Sequence, residues 1–315
     1  MHKMNNIHDF LHKLVKSDVK IRNFDREHIF YSMINSLDSI LSVGEKMDLF
    51  HFFMISQKSF KCLLFNDQNL YNYYHQKIDF ENVYFENDLA KACANSIYYP
   101  ILAYKAYKKG RFKQARNDIK RSIANIDIMI ANDCFDCVNA KLEQNLNLAR
   151  LYIAEKDFSA AIDMTCKIVD YLTSTNPTKH ISNIPFQKII KNDYERHDVY
   201  AYYIDSLVTA FLKDSVGVTQ ELFKSLVKLN LDTNKDLLST LKLLLNSEGY
   251  FSEGELLKEL INLNFKIIPF TLQFLLIEKI KPNFNIEINS LSAYYSNFQF
   301  YTKIKKLSFS DADIV

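Results

Sequence analysis

Residues that reverse a chain are scarce here, and that scarcity restricts the fold more than any other feature. The 315 residues include five glycines and five prolines. A sandwich or barrel turns back about every ten residues and draws on these residues for its turns. Long stretches free of both suit helices instead, and the expected class is all-α. Apolar residues return at helical spacing early in the chain, at Phe30, Met33, Ile34, Leu37, Ile40 and Leu41, then at Leu49, Phe52, Phe53 and Ile55. Hydrophobic residues make up 48% of the chain, enough for a sizeable core, so disorder is not expected.

Comparison of the chain with itself finds three segments that align. The first carries Tyr99, Leu102, Ala103, Gly110, Arg111, Phe112 and Ala115. The second carries Leu148, Ala149, Tyr152, Lys156, Asp157, Phe158 and Ala161, and the third Leu241, Leu245, Gly249, Tyr250, Phe251 and Gly254. A fourth copy lies between them, with Tyr203, Leu207 and Ala210 before a turn near Asp214, and Thr219 and Phe223 after it. Small residues permit two helices to approach closely, and aromatic residues fill the space between them.

These positions resemble the tetratricopeptide repeat, which sets a small residue and an aromatic in its first helix, a Gly turn, then an aromatic and an Ala in its second. The resemblance covers roughly residues 93–265. It implies a right-handed superhelix of helix hairpins, preceded by an N-terminal helical bundle over residues 1–92 and closed by a C-terminal helical cap over residues 266–315. From Asp214 to Gly249 is 35 residues, near the repeat's period of about 34. Gly110 to Lys156 is 46 and Lys156 to Asp214 is 58. The first excess is expected between Ile130 and Asn139, and the second in the Ser-, Thr- and Asn-rich stretch from Thr173 to Asn192, which contains Pro177 and Pro185.

The densest charge lies at Lys105, Lys108, Lys109, Arg111, Lys113, Arg116, Lys120 and Arg121, opposed within that span by Asp118 alone. On a helix pair these cations flank one turn, where they can receive an acidic peptide, a phosphate or a nucleic-acid backbone through charge-assisted hydrogen bonds. An ordinary solvated face is the plainer reading. The repeat resemblance implies a concave surface made by first helices, which would present Tyr104, Tyr107, Lys108 and Arg150, with Arg111 at the turn. Aromatic side chains and cations together suit an extended acidic or carboxylate-ended peptide. With 39 basic against 37 acidic residues the net charge is +2, so nucleic acid is not the expected partner.

Other features point to packing. Cys134 and Cys137 have the spacing of half a zinc site or of a redox dithiol, but no second pair and no thioredoxin-like pattern follows, and two small residues one turn apart, either buried or near a helix end, are the better reading. The same scattered count of five cysteines suggests a reducing compartment, the cytoplasm. His8 and His12 would share a helix face without the Glu of a metalloprotease motif, and His180 and His197 have no nucleophile beside them. Tyr71, Tyr73 and Tyr74 are assigned to the core. Ile267 to Ile277 is apolar but too short to span a bilayer, so it reads as a buried helix and no membrane insertion is expected. No phosphate loop, dinucleotide fingerprint, nucleophile elbow or zincin motif occurs. The expected function is therefore a cofactor-free, non-catalytic scaffold that binds a protein or peptide. Two rivals are a peptide-responsive regulator whose N-terminal helices carry the output, and an accessory subunit that delivers a peptide substrate to an enzyme.

Overall fold

The computed structural model describes residues 26–82, 85–174, 180–190, 193–214, 216–229 and 234–245, with short stretches between 258 and 276. Among the described residues regular structure is helical throughout, with no strand. In chain order the helices are α1 (Arg26–Asn35), α2 (Val43–Leu64), α3 (Gln68–Asn82), α4 (Asp88–Lys108), α5 (Phe112–Ala131), a 3₁₀ turn (Phe135–Cys137), α6 (Val138–Ala154), α7 (Phe158–Thr173), α8 (Phe186–Ile189), α9 (Asp193–Asp214), α10 (Val216–Val227) and α11 (Lys235–Leu244). The chain divides into two compact units at Met164 and Thr165, within α7.

Local chemistry explains where α2, α3, α4, α7 and α11 begin. Ser42 and Glu45 form a capping box at α2, each side chain accepting from the other's backbone N–H. Asp67 caps α3, Asn87 caps α4, Asp157 caps α7 and Asn234 caps α11 through their side-chain oxygens. Four helices, α2, α4, α5 and α6, end alike. Asn66, Gly110, Asp133 and Lys156 take the left-handed conformation, with φ of 57°, 68°, 65° and 66°. The N–H that follows each of them reaches back over the last turn, from Asp67 to Cys62 O, Arg111 to Ala106 O, Cys134 to Met129 O and Asp157 to Tyr152 O, at 2.9 to 3.1 Å. This double reversal satisfies the last carbonyls and turns the chain so that each helix can fold against its neighbour.

Within Asp25–Met164, α2 packs on α3 and α4, α4 lies along α5, and α5 packs on α6. One core cluster joins Cys62, Leu63, Tyr71, Ile101 and Tyr104 from α2, α3 and α4. A second joins Ala103, Ala106, Ala115, Ile119, Leu148 and Leu151, with Phe112, Tyr152 and Met164 packed against it. Of the residues aligned by the self-comparison, Ala103, Ala115 and Leu148 meet in this cluster, Ala149 and Ala161 are buried, and Gly110 and Lys156 occupy the same place in their turns. The first excess in spacing is the loop and 3₁₀ turn between α5 and α6. Of the three tyrosines, Tyr71 is fully buried and Tyr74 half-buried, while Tyr73 stays exposed.

Pro100 sits inside α4, where it can offer no N–H to the carbonyl of Ser96. The Ser122 hydroxyl of α5 donates to that carbonyl instead, at 2.8 Å in a buried setting. What would be a helix defect becomes a bond between neighbouring helices.

In the unit from Thr165 onward, α9 packs on α10 and α10 on α11, burying Tyr203, Leu207, Phe211, Leu222, Phe223, Leu237 and Leu241. The described part of the Thr173 to Asn192 stretch is anchored: Tyr171 donates to Ile184 O at 2.9 Å and meets Phe186 edge-on. Ile268, Leu272 and Leu276 are buried, and the described residues 271–273 and 275–276 are helical. The third aligned segment beyond Leu245, and Tyr294 to Phe309, lie outside the described residues.

Candidate functional site

The basic cluster sits on α4, the α4–α5 turn and the first half of α5, and its cations separate into two groups. Four engage an aromatic ring or an acidic side chain, Lys108 and Arg121 while staying exposed. Lys105 Nζ lies 4.4 Å from the Tyr71 ring and Lys108 Nζ 5.9 Å from the Tyr104 ring. Arg116 pairs with Glu155 and lies over Tyr152, and Arg121 bonds Asp118 Oδ1 at 3.4 Å over Tyr99. The other four, Lys109, Arg111, Lys113 and Lys120, are exposed and have no acidic partner among the described residues.

Three of those free cations gather at the start of α5. Arg111 occupies the N-cap position and makes no side-chain cap hydrogen bond. In the aligned hairpin the same place holds Asp157, whose carboxylate accepts from Ala160 N. The first N–H groups of α5 therefore face outward without a side-chain acceptor, and the helix dipole adds partial positive charge to them. They open onto a cleft of about 690 Å³ lined by Gly110, Arg111, Lys113, Gln114 and Asn117, with Asp118, Arg121 and Glu155 further along. Asp118 is buried, with Oδ2 lacking a hydrogen-bond partner, and burial raises its pKa against the opposing pull of Arg121. Cations, amide side chains and free N–H groups together make a surface for an anionic group, a carboxylate foremost.

The five residues singled out from sequence divide between surface and interior. Lys108 and Arg111 are exposed at the turn. Tyr107 is half-buried and stacks on Tyr104, with ring centroids 6.3 Å apart, and Tyr104 is fully buried edge-on to Phe60 of α2. Arg150 is 5% exposed on α6; its Nη1 donates to Asn147 Oδ1 at 3.3 Å, and its Nη2 has no acceptor. That bond goes to none of the other four. Cleft residues that sequence reasoning passed over are Gln114 and Asn117. The available signal was the substitution of Arg111 for a capping residue, visible once Gly110 and Lys156 are aligned.

Cys134 and Cys137 are buried around the 3₁₀ turn, with Cys137 Sγ 3.6 Å from Ser36 Oγ. Burial pushes the Cys137 thiol up to about 12 and raises Cys93 and Cys134 as well. His180 is exposed, His197 lies beside Tyr200, and His8 and His12 fall outside the described residues. Among the described residues no group of three metal-binding side chains forms, and no helix is long and apolar enough to cross a membrane. In comparisons with known proteins, no family model, no curated protein and no solved structure matches the chain.

Proposed function

We propose that this chain is a non-catalytic docking protein, a tetratricopeptide-like array of helix hairpins that holds an acidic segment of a partner protein at the α4–α5 turn. The observation that carries the reading is the uncapped start of α5, opening onto a cleft with Arg111 and Lys113 exposed on it. A carboxylate there would accept from backbone N–H groups and from a guanidinium at once, and such charge-assisted bonds are about twice as strong as neutral ones. The turn is held from behind by buried Ala103, Ala106 and Ala115 and by the left-handed Gly110, so little ordering is left to be done on binding. Tyr107 and Lys108 border the turn and would extend the contact along α4. Arg150 lies on α6 with its guanidinium buried, so it would support the array from within rather than touch the docked segment.

The test is fluorescence anisotropy with a fluorescein-labelled ten-residue peptide of alternating Glu and Asp. Arg111→Glu with Lys113→Glu should weaken binding at least tenfold, about 1.4 kcal/mol. Lys228→Glu, an exposed cation of the other unit, should leave it unchanged. Equal losses in both would leave only non-specific charge attraction and would remove the turn as the docking site.

A further inference from the structure

Helix α2 is apolar on two faces. Its inner face buries Leu49, Phe52, Ile55, Cys62 and Leu63 against its neighbours. On the outer face Val43 is 74% exposed, Met47 68% and Met54 43%, and Phe50, which meets Phe53 edge-on, is 40% exposed. The intervals along this face are four, three and four residues, the alternation by which one helix presents a straight seam to another. The seam runs about 16 Å along the helix. Apolar side chains on both faces mark a helix that is covered on both faces in its working state.

Charge placement says what covers it. Asp38, which pairs with Lys46 at 2.9 Å and still leaves its side chain 64% exposed, stands just before α2; Lys58, 6.0 Å from the Tyr74 ring centroid, and Lys61 stand exposed at the far end on the line of the outer seam. We propose that this face is the seam of an antiparallel homodimer, two copies of α2 pairing about a twofold axis centred between Met47 and Phe50. In that register Val43 meets Met54 of the second copy and Met47 meets Phe50. Lys58 and Lys61 of each copy then approach Asp38 of the other. Parallel pairing would set each lysine against its equivalent, which is repulsive. Gly44 beside the seam leaves room for the opposing His51. A twofold axis makes every contact occur twice, so the seam is self-complementary. Its short length puts the dimer in the weak, transient class of interfaces.

Sedimentation equilibrium of the full chain between 1 and 100 µM tests this. The weight-average mass should rise toward twice the chain mass, and Met47→Glu should hold it at the monomer with an unchanged helical circular dichroism spectrum. Two charge variants separate this arrangement from a merely sticky face. Asp38→Lys alone and Lys58→Glu with Lys61→Glu alone should each lose dimer, whereas their equimolar mixture should regain it, because opposite charges then meet at both contacts. A monomeric parent chain at 100 µM would overturn the proposal, as would a Met47→Glu variant that dimerises normally. A mixture no more dimeric than its parts would overturn the antiparallel register.

Discussion

Lys156 holds a backbone conformation in which a side chain is a burden. Its φ of 66° matches the 68° of Gly110 in the aligned turn, but a Cβ costs roughly 1 kcal/mol there. Lys156→Gly should therefore raise stability by about 0.5–1 kcal/mol, and Gly110→Ala should lower it by about 1 kcal/mol, read from urea midpoints. A Cβ at Gly110 meets nothing within 4 Å, so the second loss would come from the backbone alone. The buried thiols give a second prediction at this scale. An ordinary thiol ionises near 9.0, whereas Cys137 stays protonated in the folded chain to about 12, and Cys93 is raised too. Between those values the unfolded chain gives up a proton that the folded one keeps, so their contribution to stability is whole below pH 9 and shrinks as pH climbs toward 12. Cys137→Ala should flatten the fall of the urea midpoint over that window; parallel curves for variant and parent would contradict the assignment. The equivalence of Gly110 and Lys156 was legible in the aligned sequence. The fate of Tyr104 and Tyr107 was not, because burial of Tyr104 is decided by Phe60, a residue 44 positions away on another helix.

At the scale of single helices, the bond from Ser122 to Ser96 O ties α5 to α4 at the point where Pro100 leaves a carbonyl without its own helix's donor. Ser122→Ala would strand that buried carbonyl and should cost about 1–3 kcal/mol. In a Pro100→Ala background residue 100 supplies an N–H again, so the same substitution should cost markedly less. A double-mutant cycle by urea denaturation measures the difference, and additive effects would show that the two sites are independent. Sequence pattern located the helices here because small and aromatic residues return 46 positions apart in both hairpins. It gave no sign that α4 runs through Pro100, since a proline ordinarily ends a helix just before itself. Nor could it separate the two faces of α2: Met47 and Leu49 are both apolar residues in a helical pattern, and only the packed neighbours reveal which of them is covered.

At the scale of the molecule, the proposed docking rests on charge at one turn. The run of cations from Lys105 to Arg121 was evident in the sequence, but its division was not. Glu155, which engages Arg116, comes from the end of α6, and the rings that take up Lys105 and Lys108 come from α3 and α4. What remains exposed with no ring or acidic partner among the described residues is a smaller group centred on Arg111 and Lys113, at the helix start that lacks a side-chain cap. Binding of the acidic peptide should weaken steeply with salt, because exposed charges are screened beyond about 8 Å at physiological ionic strength. The most direct measurement follows the backbone amides of Phe112, Lys113 and Gln114 in a ¹H–¹⁵N spectrum as the Glu/Asp peptide is added. Saturable shifts centred on these three amides are expected, as their N–H groups gain an acceptor. Shifts confined to other helices, with these three unmoved at saturation, would contradict docking at this turn.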